Sequence, residues 1–150
     1  MSYSIIIRRV CFILQGTSCM SNNKKWSTDY PTHLVIPPKD SCEINKTLFR
    51  FVINTVPNER DFLPSFKDPK QKHLIKYDRF KNKPGFYGTS FFKNEATIKE
   101  IKEGSPEKFS DTHVAKGQIL PEHGKGESGF SEHVSMWFYS GIYPKGFKVI

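Results

Sequence analysis

The chain has 150 residues, of which 37% are hydrophobic, 14% aromatic and 25% charged. That balance excludes a disordered tail, and the length suits one core that buries roughly two thirds of the unfolded chain's surface without metal or disulfide staples. Lys and Arg number 23 against 15 Asp and Glu, a net charge of +8, so the surface attracts anions.

The excess is unevenly placed. Residues 1–45 hold 5 basic and 3 acidic side chains, residues 46–103 hold 13 and 7, and residues 104–150 hold 5 and 5. The positive field therefore belongs to the middle of the chain.

Ile5 to Leu14 is largely apolar, but Arg8 and Arg9 split it. A secretory signal places its charges before an apolar run of about 7 to 15 residues, so residues 1–19 read as a doubtful leader. Met20 opens a polar stretch, Met-Ser-Asn-Asn-Lys-Lys, that reads equally well as a native start. No window offers the ~18 apolar residues of a membrane span, and the expectation is a soluble protein of the cytoplasm with no membrane partner. Cys11, Cys19 and Cys42 make no disulfide or zinc pattern.

Residues 20–46 are rich in Ser, Asn, Pro and Lys, and Tyr30-Pro31 and Pro37-Pro38 force extended or turn geometry. They read as an arm lying over a single globular domain, 47–150. Thr47 to Ile53 is the clearest strand, aromatic and β-branched, with Leu48, Arg50 and Val52 on one face and Phe49, Phe51 and Ile53 on the other. Arg50 thus shares a side with apolar neighbours, which suits an arginine at a sheet edge or snorkelling to water, or an anion ligand at a cleft.

Residues 58–66 read as a loop or one short helical turn. The basic run follows, with Lys67, Lys70, Lys72, Lys76, Arg79, Lys81 and Lys83 against Asp68 and Asp78. Residues 84–92 look like a turn feeding a short aromatic strand, and Asn94 is placed to cap a helix from Glu95 to Lys102. Thr112 to Leu120 reads as a strand, Glu122 to Gly129 as a glycine-rich loop, His133 to Tyr139 as a strand or a helix, and Phe147 to Ile150 as a final strand. The expected fold is α+β, a mostly antiparallel sheet with one or two short helices in a single compact domain.

Three patterns bear on chemistry. Gly124-Lys-Gly-Glu-Ser-Gly129 spells a dinucleotide fingerprint, yet too little chain follows for the crossover and second strand of such a site. His113, His123 and His133, beside Glu122, Glu127 and Glu132, lack any metal-ligand spacing but could supply acid/base groups, since imidazole titrates near neutrality. In the basic run, Lys70, Lys72, Lys76 and Arg79 can neutralise phosphates while Tyr77 and Phe80 stack bases, the arrangement that suits single-stranded nucleic acid.

An arginine on an early strand (Phe49-Arg50-Phe51), a Thr-Ser strand leading into a helix (Gly88-Thr89-Ser90) and a late glutamate opening a strand (Glu132) follow one another in the chain. In this order the sequence resembles the mono-ADP-ribosyltransferase superfamily over about 100 residues. The family often has Ser-Thr-Ser where this chain has Gly-Thr-Ser, and two acids where Gly129-Phe-Ser-Glu132 supplies one. The resemblance implies NAD as substrate, with Arg50 on its phosphates, Ser90 bracing the site and Glu132 stabilising the ribose cation as nicotinamide leaves. A guanidinium is a planar bidentate partner for phosphate, and a fixed carboxylate stabilises an oxocarbenium ion electrostatically.

The primary expectation is a binding module for a phosphate-rich or acidic partner such as nucleic acid, requiring no cofactor. An NAD-cleaving ADP-ribosyltransferase-like enzyme is the alternative, and a protein-binding module using exposed aromatics is a third class.

Overall fold

The computed structural model describes residues 24–150. The leader 1–19, its two cysteines and the start at Met20 lie outside the described residues.

The aromatic, β-branched run of the sequence forms β1 (Lys46–Val52) at the middle of a sheet. It pairs along its whole length with β3 (His113–Ile119), from Lys46 opposite Ile119 to Val52 opposite His113. On its other side lies β2 (Thr89–Phe92), with Phe49 opposite Phe92. Next come β5 (His133–Phe138) and β4 (Gly124–Gly126), and β6 (Lys148–Val149) closes the edge beyond β3. The order is β4-β5-β2-β1-β3-β6, antiparallel throughout. With three short helices, α1 (Asp78–Lys81), α2 (Glu95–Gly104) and α3 (Pro106–Phe109), this is the single-domain α+β arrangement that the patterning implies.

Alternation along the strands builds two cores. Leu48 and Val52 meet Phe91, Ala115, Ile119, Val134 and Met136 on one face, where Ile44, Phe62 and Phe147 cover them. On the other face Phe49 and Val114 pack against Ile98 of α2, with Phe51 and Phe92 alongside. Each fully buried large apolar side chain contributes about 1.5 to 3 kcal/mol, so these clusters carry the fold. Gly117 sits under the Phe147 ring, and a Cβ there would fall 2.3 Å from the ring carbon. The absence of a side chain lets the aromatic cover the strand.

The arm is tied to the residues that follow β5 and to β4 before it enters β1. Trp26 lies 4.5 Å from the Tyr139 ring, the Lys25 carbonyl accepts from Ser140 N at 2.7 Å, and Cys42 pairs with Gly126 in an isolated bridge. Ser41 to Ile44 are buried.

Two local expectations change and one open alternative is settled. Part of the 122–129 loop is β4, because Gly124 leaves room for the Trp137 carbonyl, which would stand 2.0 Å from a Cβ. Asn94 occupies the N-cap position of α2 without capping it. Its amide donates to the Glu132 carboxylate instead, and a bond to a charged acceptor is the stronger one. Residues 133–138 are a strand rather than a helix, buried on both faces at Val134, Ser135, Met136 and Trp137. No helix among the described residues is long and apolar enough to cross a membrane.

Candidate functional site

A cleft of about 620 Å³ opens on the face of the sheet that carries Ser90 and Ser135. These two serines are opposite each other across β2 and β5, and His133 and Trp137 stand two residues either side of Ser135 on the same strand face. The loop after β4 brings in Glu127 and Ser128, the arm brings Asp40 and Ser41, and the basic segment supplies Gln71, Phe80 and Lys83 as the opposite wall. Its size falls within the roughly 300 to 1,000 Å³ range of small-molecule sites.

The basic wall is held in place from the core. Tyr87 donates its hydroxyl proton to the Lys81 carbonyl at 2.7 Å, Trp137 Nε1 donates to the Pro84 carbonyl at 3.0 Å, and Phe66 N donates to the Phe86 carbonyl at 3.0 Å. Thr89, buried at the start of β2, donates to the Phe62 carbonyl at 2.9 Å. The Tyr87 and Trp137 side chains therefore serve as anchors for the end of the basic segment and the turn that follows it.

Two titratable groups face one another at the cleft. Glu127 Oε1 accepts from Ser135 N at 2.6 Å and lies 3.8 Å from His133 Nδ1. Burial lowers the His133 pKa below its ordinary value, and the Glu127 charge offsets part of that effect. The imidazole is thus neutral at pH 7 and able to accept a proton. His113 and His123 do not join it: His113 lies on β3, and His123 Nδ1 accepts from Leu120 N at 2.9 Å. No cluster of three metal-ligating side chains occurs among the described residues.

Arg50 occupies the centre of the sheet, where the sequence reading has it at an edge, at the water surface or at a cleft. Its Nε donates to the Asp61 carbonyl and its Nη1 to the Ser90 carbonyl, both at 2.7 Å. Burial pulls its pKa down to about 10 against the opposing pull of Asp68 and Asp61, so it stays charged at neutral pH. The guanidinium reaches Ser90 from the far side of β2 and lines no part of the cleft. Glu132 stands just before β5, its carbonyl accepting from Lys93 N at 2.9 Å. Its exposed carboxylate holds Asn94 next to the cleft residue His133.

Of the basic candidates, Lys70 is 2.5 Å from Asp111, and Lys67 pairs with Asp29. Lys72, Lys76 and Arg79 are exposed and make no ion pair among the described residues. Tyr77 is exposed between them, and Phe80 is half-buried at the cleft.

Sequence reasoning names Ser90, Phe80, His133 and Glu127, the last two within a wider histidine and glutamate group, but misses Ser135 and Trp137 as cleft residues. Period two along 133–137 carries the signal for both, since it places them on the face of His133. That Glu127 and not Glu122 meets His133 follows only from the pairing of β4 with β5. No protein-family model, curated protein or solved structure matches this chain.

Proposed function

We propose that the cleft binds NAD and cleaves it at the nicotinamide ribose, as an ADP-ribosyltransferase-like enzyme would. One observation carries this reading. Arg50, Ser90 and Glu132 are far apart in the chain, yet Arg50 on β1 and Ser90 on β2 lie on neighbouring strands, Glu132 immediately precedes β5, the strand on the other side of β2, and the Thr-Ser strand β2 runs directly into α2. A chance succession of three residue types requires no such adjacency.

In this reading the C1′–N bond breaks, nicotinamide leaves with the bonding pair, and water or an acceptor hydroxyl adds to C1′ while losing its proton. Glu132, which precedes the cleft residue His133 in the chain and does not itself line the cleft, is assigned the carboxylate that stabilises the ribose cation, worth several kcal/mol when preorganised. Ser90 offers a hydroxyl on the cleft floor. Arg50 is a positioning residue that braces β2 through the Ser90 carbonyl, and Lys83, on the opposite wall, is the cation that meets the phosphates.

The test is nicotinamide release from NAD by the wild-type chain and by Glu132→Gln. Loss of roughly 100-fold or more in kcat, with the melting temperature unchanged, is the expected result. Equal turnover removes Glu132 from the chemistry, and a wild-type chain that neither cleaves NAD nor gains thermal stability from it overturns the reading.

A further inference from the structure

The seven basic residues between 67 and 83 do not share one fate. Lys67 and Lys70 are neutralised by Asp29 and Asp111, which come from the arm and from the turn before β3. Lys72, Lys76, Arg79, Lys81 and Lys83 are all exposed and form no ion pair among the described residues. Asp78 is the sole acid within that stretch. The stretch is structured nonetheless, as a 3-10 turn over Lys72–Lys76 and α1, with Tyr77 in extended conformation between them.

An aromatic ring lies at the centre of this charge. Tyr77 is 45% exposed, with Lys76 Nζ 5.3 Å and the Arg79 guanidinium 5.7 Å from its centroid. Arg79 also lies 5.0 Å from the Phe80 ring, and Phe80 and Lys83 are the two residues of the stretch that reach the cleft. Cations alone would suit any polyanion. A solvent-facing ring bracketed by cations suits a chain that offers both phosphates and flat bases, and only unpaired bases can lay their faces on it.

We propose that residues 72–83 form a docking surface for single-stranded nucleic acid, with the backbone following Lys72, Lys76, Arg79 and Lys83 and a base stacked on Tyr77. The strand then passes along the lip of the cleft. Lys83 also meets the phosphates in the NAD reading, but Lys72, Lys76, Tyr77 and Arg79 lie outside the cleft and have no part in it, so the surface does not rest on NAD cleavage.

The experiment is fluorescence anisotropy of a labelled oligouridylate of about 16 nucleotides, with oligothymidylate of the same length and heparin as competitors, on the full chain. Between about 50 and 200 mM salt the affinity should fall roughly 50-fold, a log–log slope of about −3 for four or five phosphate contacts on a single strand. Replacing Lys72, Lys76, Arg79 and Lys83 together by Ala should abolish binding and leave the melting temperature in place. Tyr77→Ala should weaken the oligonucleotide roughly tenfold, the size of one stacked base, without affecting heparin. Equal affinity for the two oligonucleotides assigns recognition to phosphates and bases, and a preference for uridylate adds the 2′-hydroxyl. No binding at the lowest salt, full binding by the quadruple variant, or an equal loss of heparin on Tyr77→Ala would each overturn the proposal.

Discussion

Arg50 and Arg79 carry the same group into opposite surroundings. Arg50 lies in the middle of the sheet, donates to two backbone carbonyls and ties the Glu59–Phe62 turn and β2 to β1. Arg79 lies on a four-residue helix in solvent, rests over Tyr77 and Phe80, and bonds to no carboxylate among the described residues. A charge enclosed by satisfied acceptors is architecture, since removing it strands buried carbonyls. An exposed charge with no partner contributes little to folding and is available to a ligand.

The sharpest way to break this contrast is to neutralise each arginine in turn. Arg50→Met should destabilise the fold by about 3 kcal/mol, because the Asp61 and Ser90 carbonyls lose their donor. Arg79→Met should shift stability by less than about 0.5 kcal/mol. Urea denaturation of both variants measures the difference, and equal midpoints would erase the distinction between the two regions.

Acid titration sharpens the same comparison at the turn that Arg50 holds. Burial raises the Asp61 pKa, but bonds from Asn54, Asn58 and Ile53 outweigh it and hold the carboxyl below its ordinary 3.8. The unfolded carboxyl therefore takes up protons first as pH falls. Its stabilisation is present above 3.8 and lost below it. His133 and His123 have the same sign in a higher window, since burial holds both below 6.5. Stability should begin to fall under pH 6.5 and fall again under pH 4. Melting temperatures across that range test this, and His133→Gln should flatten the upper limb.

The smallest effect separates paired from unpaired lysines. Lys70→Ala removes a charge already matched by Asp111, so oligonucleotide affinity should change far less than with Lys72→Ala, about a fourfold loss at low salt. An equal loss would place Lys70 within the docking surface.

Much of the fold is local and therefore readable. Period-two alternation in Leu48 to Val52 and in His133 to Trp137 places strands and faces correctly, because successive Cβ atoms point to opposite sides of a pleat. The single compact α+β domain follows from short strands of mixed spacing around one helix flanked by Asn94 and Gly104. Composition alone put the positive field in the middle third.

What lies between distant segments was decided only by tertiary structure. Which strands are neighbours, and hence that Arg50 reaches the carbonyl of Ser90 40 residues away, depends on global packing of both sheet faces. So do the pairings of Lys67 with Asp29 across 38 residues and of Lys70 with Asp111 across 41, which divide the basic run into matched and unmatched charge. The sequence determines which side chains share a face, since backbone geometry repeats every two residues. The fold determines which of them meet, because sheet order follows from burying two apolar faces at once and no local period encodes that.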